Sequence, residues 1–287
     1  MKAVVTGGAG FIGSKLVNRL VSEGVEVLVI DNLSTGSLSN LEGEGWRLFK
    51  GDICDPLPNI EHDVLFHLAA PVSVAESLAN PDKYYHQIAD GTENVLRWSE
   101  RMGAKSVVLA STAAIYGDTV DLPIEEERSS MAMSPYAAAK LLAESMVDCS
   151  EIRTRTILRF FNVYGEGQGA TGGYASVIPI FRKLWEAGKP LTVRGNGEQT
   201  RDFIWVEDIV DALIKASLRS GEDSQTYNVG SGEETSVNQI VEAFGGEVHY
   251  IPSIPEPMRS LACIKKIKKE LDWSPSMSVE SWIETIR

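Results

Sequence analysis

The chain has 287 residues, of which 43% are apolar and 23% are charged. This balance is typical of a globular protein and excludes an intrinsically disordered one. The length suits one large α/β domain, or a cofactor-binding domain with a smaller partner. The formal net charge of −13 argues against nucleic acid or an anionic membrane as the main partner. An anionic substrate would then have to meet a few Arg or Lys residues in a local pocket.

The cysteines and the amino terminus indicate a reducing compartment. Cys54, Cys149 and Cys263 are odd in number, far apart, and without metal-ligand spacing. We therefore expect neither a disulfide framework nor a metal site. No charged and then apolar leader precedes the first strand, and no apolar run reaches the roughly 18 residues that a membrane span needs. We expect a cytoplasmic protein without a membrane or nucleic-acid partner.

Short apolar segments alternate with helical stretches as far as Leu158. The segments are apolar throughout and often rich in Val, which is typical of parallel strands covered on both faces. The predicted strands are Lys2–Thr6, Val25–Ile30, Val64–Leu68, Ser106–Ala110 and Thr154–Leu158. The predicted crossover helices are Phe11–Ser22, Lys83–Met102 and Pro135–Cys149. The alternation predicts an α/β fold with a doubly wound, Rossmann-type parallel sheet.

The pattern changes after Gly165, where glycines accumulate. A glycine-rich loop is predicted from Gly165, Gly167, Gly169, Gly172 and Gly173. Later elements are predicted as a helix near Ala175–Ala187, a strand at Leu191–Val193, and helices at Val206–Ser217, Val237–Phe244, Ile264–Leu271 and Val279–Ile286. We expect a cofactor-binding domain at residues 1–165 and a smaller substrate-binding domain at 166–287. Residues 200–232 are expected to return in part to the first domain.

The first predicted strand ends in a glycine-rich turn that leads into a helix. Gly7 permits the tight turn, Gly10 lets the backbone approach a pyrophosphate, and Gly13 lets helix and strand pack closely. The helix begins with Phe11 and Ile12, and its first N–H groups and positive dipole end would face the phosphates. Turns also collect glycine for structural reasons alone. The strand before and the helix after favour dinucleotide binding.

The second predicted strand leads into Asp31, about twenty residues downstream, where an acid can accept from adenosine ribose hydroxyls. The alternative is a carboxylate that only caps a loop. Asn32 adjoins this candidate ribose site. An acid repels a 2′-phosphate, and no Arg occurs within Asn32–Asn40. The sequence therefore favours NAD over NADP.

A candidate reaction centre lies in the predicted helix Pro135–Cys149. Tyr136 and Lys140 are four residues apart, which places both on one helix face. A phenol ordinarily titrates near 10, so it is a poor base at neutral pH, but a nearby ammonium stabilises its anion. The alternative is an exposed aromatic with a solvated lysine. Thr112 follows the strand Ser106–Ala110, where its hydroxyl can hydrogen-bond a reacting alcohol.

Several motifs occur in a familiar order over essentially the whole chain. They are GGAGFIG (7–13), GDICD (51–55), HLAA (67–70), STAAIYG (111–117), YAAAK (136–140), RFFNVYG (159–165) and GNGEQTRDFIWVEDI (195–209). Together they resemble the extended short-chain dehydrogenase/reductase family, and in particular its nucleotide-sugar epimerases.

The resemblance implies a role for several individual residues. Tyr136 would be the base, Lys140 would bind the nicotinamide ribose, and Thr112 would contact the substrate. Asp52 and Ile53 would contact adenine. Ala69, with Ala70, would line the nicotinamide side. Ser111 is a weaker candidate than Thr112 for the hydroxyl that contacts the substrate. His67 is interpreted as a buried residue at the end of a strand.

The residues after Thr112 bear on the reaction class. In this family, members that dehydrate or decarboxylate the sugar carry an acid there, whereas this chain has Ala113 and Ala114. Elimination is therefore disfavoured, and oxidation followed by reduction at one carbon remains. The hypothesis is a UDP-sugar 4-epimerase acting through a transient 4-keto sugar, with UDP-glucose and UDP-galactose as its substrates. The alternatives are a keto-sugar-nucleotide reductase, another nucleotide-sugar epimerase, and an NAD-sensing binding protein.

The substrate side follows from the same resemblance. Arg201 matches a diphosphate-binding arginine, and Asn162 matches a substrate-side asparagine. Arg259 is a looser match to a second phosphate-binding arginine, with a plain surface charge as the alternative. Val177 would border the nucleobase or would simply belong to a helix core. The sequence departs from the family at Pro71 and in a shortened stretch 259–266.

The family resemblance also implies a homodimer. Its four-helix bundle would use the Lys83–Met102 and Tyr136–Cys149 helices of both subunits, although the sequence itself shows only amphipathic faces there.

Overall fold

The computed structural model describes residues 1–170, 176–253 and 257–287. Within them the strands are β1 (Lys2–Thr6), β2 (Glu26–Asp31), β3 (Trp46–Lys50), β4 (Val64–His67), β5 (Ser106–Thr112), β6 (Thr154–Phe160), β7 (Asn162–Tyr164), β8 (Leu191–Arg194), β9 (Thr200–Arg201), β10 (Phe203–Trp205), β11 (Ser224–Val229), β12 (Thr235–Ser236) and β13 (Val248–Ile251). The helices are α1 (Phe11–Ser22), α2 (Val74–Ala79), α3 (Pro81–Tyr85), α4 (Gly91–Arg101), α5 (Pro135–Cys149), α6 (Val177–Glu186), α7 (Val206–Ser217), α8 (Val237–Phe244), α9 (Lys265–Leu271) and α10 (Val279–Ile286).

Seven of these strands form one parallel sheet in the order β3-β2-β1-β4-β5-β6-β11. The predicted Rossmann-type sheet is confirmed. The chain runs outward from β1 in one direction and then from β4 in the other. Ligands of such sheets bind where the strand order reverses, outside the carboxyl ends of the strands. The β1–β4 boundary is that place here.

Helices cover both faces of the sheet because successive side chains of each strand point to opposite sides. Val5 packs with Leu16 and Leu213, in the core beneath α1 and α7. Its neighbour Val4 packs in the opposite core, beneath α3, α4 and α5. Burial on both faces explains why the strands of this sheet have few polar residues.

In the main sheet, two strands were not predicted, and one predicted crossover helix has different bounds. β3 and β11, the two edge strands, were not predicted, because β3 is only half-buried and β11 begins with the polar run Ser224–Thr226. The predicted helix Lys83–Met102 begins earlier, at Pro81, and passes through a wider π turn at His86–Asp90. Gly91 follows that turn and passes so close to the loop after β3 that an added Cβ would lie 2.7 Å from Ile53 Cδ1.

The later part of the chain has its own apolar core. Phe181 of α6, Val193 of β8 and Ile240 of α8 are all buried in it. Around it lie three two-stranded sheets, β7 with β10, β9 with β12, and β8 with β13. Of the predicted segments, Gly172, Gly173 and the helix start at Ala175 lie outside the described residues. In the part of the chain that is described, no helix has the length and apolar character needed to span a bilayer.

Candidate functional site

The glycine turn after β1 is built for close backbone contact. Gly7 has a φ of +70°, a conformation that L side chains rarely adopt, and a Cβ there would lie 2.8 Å from the backbone nitrogen of Ala69. A Cβ on Gly13 would lie 2.1 Å from the carbonyl oxygen of Gly7. Gly10, the N-cap of α1, has no side chain to cap the first N–H groups of the helix. The turn therefore presents bare backbone donors at the strand-order reversal, as a pyrophosphate would require.

Asp31 and Asn32 lie beside this turn at the carboxyl end of β2. The N–H groups of Ala9 and Leu33 donate to the two carboxylate oxygens of Asp31, at 2.9 and 2.8 Å. Each oxygen retains a second lone pair that can accept from a hydroxyl. Asn32 Nδ2 donates to Asp52 Oδ2 at 2.8 Å, so these two predicted residues are brought together.

The other predicted cofactor residues lie at the ends of β3 and β4. Ile53 is buried, and its carbonyl accepts from Asn94 at 2.7 Å. Ala69 follows β4 and its N–H donates to Thr6 Oγ1 at 3.2 Å, which places it against the glycine turn. The predicted residues that follow β1, β2, β3 and β4 thus lie together at the carboxyl ends of these strands.

His67 is fully enclosed at the end of β4. Its ring nitrogens hydrogen-bond Thr6 Oγ1 at 2.8 Å and Thr92 Oγ1 at 3.0 Å. Burial lowers the pKa of His67 to about 3, so the ring is neutral at physiological pH. It connects β1, β4 and α4.

Tyr136 and Lys140 lie on the buried face of α5. Ser134 caps this helix by accepting from the N–H of Ala137 at 3.2 Å, and Pro135 occupies the first helical position. Tyr136 is 7% exposed and Lys140 is 5% exposed. The ring of Tyr84 meets that of Tyr136 edge to face, with centroids 6.3 Å apart. Both side chains are therefore held by packing.

The ammonium of Lys140 is anchored on the sheet. Nζ donates to the carbonyl oxygen of Ala110 at 2.9 Å, two residues before Thr112. Burial lowers the pKa of Lys140 to about 8, and the negative charge of Glu144 opposes that shift. Lys140 is thus mostly an ammonium at neutral pH, although it sits in a poorly solvated place.

Thr112 ends β5 and is half-buried. Its Oγ1 accepts from the N–H of Ala114 at 3.1 Å, which caps the short helical turn Ala113–Tyr116. The hydroxyl proton remains available to donate to another group. The adjacent hydroxyl of Ser111 points elsewhere, since it donates to the carboxylate of Glu144.

Glu144 and Arg159 are buried polar residues at this centre that the sequence analysis missed. Arg159 Nη2 lies 2.7 Å from Glu144 Oε2, and the side chains are 10% and 4% exposed. Arg159 Nη1 also donates to the hydroxyl of Tyr116 at 2.8 Å. Glu144 lies eight residues beyond Tyr136, so continuing the Tyr136–Lys140 helix stripe by one more step would have found it.

The predicted substrate residues come from elements beyond the main sheet. Asn162 begins β7, and its N–H donates to the carbonyl of Asp202, the residue after Arg201. This backbone hydrogen bond therefore brings Asn162 close to Arg201. Val177 begins α6 and is half-buried against the later apolar core.

Arg259 is near Arg201 but already has a partner. Its guanidinium forms a two-pronged ion pair with Glu234, whose Oε1 also accepts from Thr200 Oγ1 at 2.5 Å. Glu234 offsets the charge of Arg259, so Arg259 offers less to an anion than its position suggests. Among the described residues, no group of His, Cys, Asp or Glu is arranged to hold a metal ion.

Two of the curated relatives that match almost the whole chain differ in reaction type. A UDP-glucose 4-epimerase from Mycolicibacterium smegmatis is 32% identical, and the alignment covers 99% of this chain and 96% of that protein. UDP-glucuronic acid decarboxylase 1 from Xenopus tropicalis is 34% identical, with 97% of this chain and 69% of that protein covered. The chain is thus comparably similar to enzymes of two reaction types.

A solved structure and a family model agree with these relatives. The UDP-glucose 4-epimerase of Thermus thermophilus, solved in complex with NAD, superposes with a TM-score of 0.88 at 30% identity, covering 99% of this chain and 96% of the other. The model of the NAD-dependent epimerase/dehydratase family matches residues 3–230. The matched range includes the glycine turn, Asp31, Thr112, Tyr136 and Lys140. The chain therefore belongs to the NAD-dependent epimerase/dehydratase family, an extended short-chain dehydrogenase/reductase group, and its cofactor is NAD.

Proposed function

We propose that this protein is a nucleotide-sugar 4-epimerase that interconverts UDP-glucose and UDP-galactose. The observation that carries the proposal is the set of residues at the carboxyl end of β5. There Thr112 ends the strand that Lys140 of α5 anchors at Ala110, while Ala113 and Ala114 leave the following turn without an acid. Such a centre can move one proton between a sugar hydroxyl and Tyr136. It lacks the extra acid that elimination at a neighbouring carbon requires.

Tyr136 is proposed as the group that takes and returns the proton of the 4-hydroxyl. The ammonium of Lys140, one helical turn away, stabilises negative charge on the phenol oxygen. Thr112 is proposed to donate its hydroxyl hydrogen toward the reacting oxygen, since the bond from the N–H of Ala114 to Thr112 Oγ1 does not use that hydrogen. NAD, when bound, supplies the reversible oxidation and reduction at the sugar carbon.

The residues proposed to hold NAD fit a dinucleotide. The bare turn formed by Gly7, Gly10 and Gly13 suits the pyrophosphate, with Phe11 and Ile12 supplying the first helical N–H groups. Asp31, with Asn32 beside it, suits the ribose. We assign Asp52 and Ile53 to adenine, Ala69 to the nicotinamide side, and the ribose next to nicotinamide to Lys140.

Arg201 and Asn162 are proposed to bind the diphosphate and sugar. Asn162 lies near the end of the region 1–165, and Arg201 lies in the region 166–287, which we take as a smaller substrate-binding domain. Val177 is proposed to border the base. Arg259 is proposed as a secondary phosphate contact that Glu234 weakens.

The test is turnover of UDP-galactose to UDP-glucose by purified protein with no added reductant. Epimerisation without net NADH formation is expected, and Tyr136→Phe should reduce kcat at least about 100-fold, since a positioned acid–base group contributes about 10²–10⁴. Stoichiometric NADH consumption would instead identify a reductase. Carbon dioxide release from UDP-glucuronate would identify a decarboxylase. Near-normal turnover by Tyr136→Phe would refute the role of the phenol.

We also propose that the protein is a homodimer, joined by the helices at 81–101 and 135–149 of both subunits. Leu142 on α5 and Tyr85 on α3 are large apolar side chains that these helices expose, at 46% and 38%. Leu142→Arg should yield a monomer by light scattering after size exclusion. Leu218→Arg, at an exposed leucine on the end of α7, is the control that should leave a dimer. A monomeric wild type would refute the proposal.

A further inference from the structure

A cluster of three buried polar side chains lies behind Tyr136 and Lys140. We call Ser111, Glu144 and Arg159 the carboxylate clamp. Counted over the whole residue, all three are at least nine-tenths buried. The Ser111 hydroxyl donates to Glu144 Oε1, and Arg159 donates to both oxygens of the same carboxylate, with distances between 2.7 and 3.3 Å. Charged groups at this depth are uncommon unless they are paired, as they are here.

The clamp joins the two elements that carry the proposed chemistry. Tyr136, Lys140 and Glu144 follow one another at intervals of four residues along the buried face of α5. Lys140 bonds the backbone of β5 at Ala110, and Glu144 bonds the next residue, Ser111. The strand end is therefore tied to α5 at two successive points, one residue before Thr112.

Arg159 makes this attachment rigid. It lies directly across from Ser111 in the parallel pairing of β5 and β6. Beyond Glu144, its Nη1 donates to the Tyr116 hydroxyl at 2.8 Å and to the carbonyl of Glu126 at 2.9 Å. Tyr116 in turn donates to Asn228 of β11 at 2.7 Å. Arg159 of β6 thus holds the Glu144 carboxylate in place. The hydrogen bond between Glu144 and Ser111 therefore fixes the end of β5 as well as the Ser111 rotamer.

We propose that Glu144, acting through Ser111, is a positioning residue that sets the separation between Thr112 and the Tyr136–Lys140 face of α5. The reacting oxygen must lie within hydrogen-bond reach of both Thr112 and Tyr136, so their separation decides the rate of the chemical step. Substrate binding depends on other residues. The inference rests on the proposed function for the roles of Thr112 and Tyr136 and for the choice of substrate.

The experiment compares Ser111→Ala with Ser99→Ala in the NAD-loaded enzyme. Ser111→Ala removes the hydroxyl that ties β5 to Glu144 but leaves the Glu144–Arg159 pair intact. Ser99 is an equally buried serine whose hydroxyl bonds a side chain elsewhere, His62 Nε2 at 3.0 Å. A misplacement on the order of 1 Å costs up to about 100-fold in rate. We expect kcat to fall at least about tenfold in Ser111→Ala with KM within about twofold, and both constants to remain near wild type in Ser99→Ala.

A second measurement needs no substrate. Amide hydrogen exchange of the peptide covering residues 110–117 should be faster in Ser111→Ala than in the wild type or Ser99→Ala. Equal exchange in all three proteins would overturn the inference, and so would an unchanged kcat in an active enzyme. A rise in KM alone would also overturn it, since it would assign Ser111 to binding. If the wild type turns over neither UDP-sugar, the proposed substrate fails and the exchange measurement still decides on the clamp.

Discussion

Replacing Lys140 by Met should make the protein more stable at neutral pH while it removes the activity. Lys140 is buried, and burial lowers its pKa to about 8 from an unfolded value of 10.5. Between these two values the unfolded chain binds more protons than the folded one, so the wild type gains stability as the pH rises through that range. Below about pH 8 the buried ammonium therefore carries its full cost. Met matches the length of the side chain without its charge.

The size of the effect follows from the two pKa values. Linkage gives a cost of about 3 kcal/mol for the Lys140 ammonium at pH 7 and about 1 kcal/mol at pH 9.5. Met also leaves the carbonyl of Ala110 without its partner, which costs about 1–3 kcal/mol at either pH. The net gain at pH 7 is then on the order of 1 kcal/mol. The difference between the two pH values, about 2 kcal/mol, does not depend on the lost hydrogen bond.

The assay is urea unfolding of NAD-free wild type and Lys140→Met at pH 7 and pH 9.5. Epimerase activity of the variant should be at background. Lys189→Met, at an exposed lysine, should change the free energy of unfolding by a similar small amount at both values. If the advantage of Lys140→Met over the wild type changed by less than about 0.5 kcal/mol between the two values, the argument from a buried, low-pKa ammonium would be refuted.

Three further changes test the cofactor and substrate sides. Gly13→Ala should abolish NAD binding and lower the free energy of unfolding by about 3 kcal/mol or more, because its Cβ would lie 2.1 Å from Gly7 O. The control in calorimetry is Gly169→Ala, whose Cβ would have no atom of the described residues within 4 Å apart from its chain neighbours. Equal behaviour of the two variants would contradict the reasoning. Asp31→Asn should weaken NAD binding about tenfold and reduce discrimination against NADP, because the anionic acceptor is lost. Titration calorimetry with both dinucleotides measures the two affinities. Unchanged discrimination would count against the ribose role of Asp31. Arg201→Gln should raise KM for the UDP-sugar about tenfold or more, as expected for loss of a charged phosphate contact. Arg259→Gln should raise KM less, because Glu234 already pairs with that arginine. If steady-state kinetics showed the larger rise for Arg259→Gln, the two roles would be exchanged.

Much of the fold could be predicted because its elements are locally consistent. The bounds of β1, α1, α5, α7, α8 and α10 agree with the sequence patterns. In these elements, apolar periodicity and boundary residues such as Ser134 and Pro135 point to the same structure. The edge strands could not be predicted because an edge is buried only in part, so β3 and β11 contain polar residues that obscure the strand pattern.

Some residues of the candidate site could likewise be predicted from the sequence, and others could not. The glycine turn, Asp31 and the Tyr136–Lys140 pair could be found because each depends on spacing within one short segment. Glu144 and Arg159 could not be paired from the sequence, because their contact depends on how α5 packs across β5 and β6. The restraint of Arg259 by Glu234 likewise arises from two segments that meet only in the folded chain.

The return of β11 to the edge of the sheet bears on how the chain folds as it is synthesised. β6 is complete at Phe160, but its neighbour β11 is not complete until Val229. Until then the growing chain presents β6 as an edge strand without a partner on one side, the kind of surface that recruits strands from other molecules. A chain cut at residue 165 would keep that edge permanently. Such a fragment should aggregate even though it contains every residue assigned here to NAD.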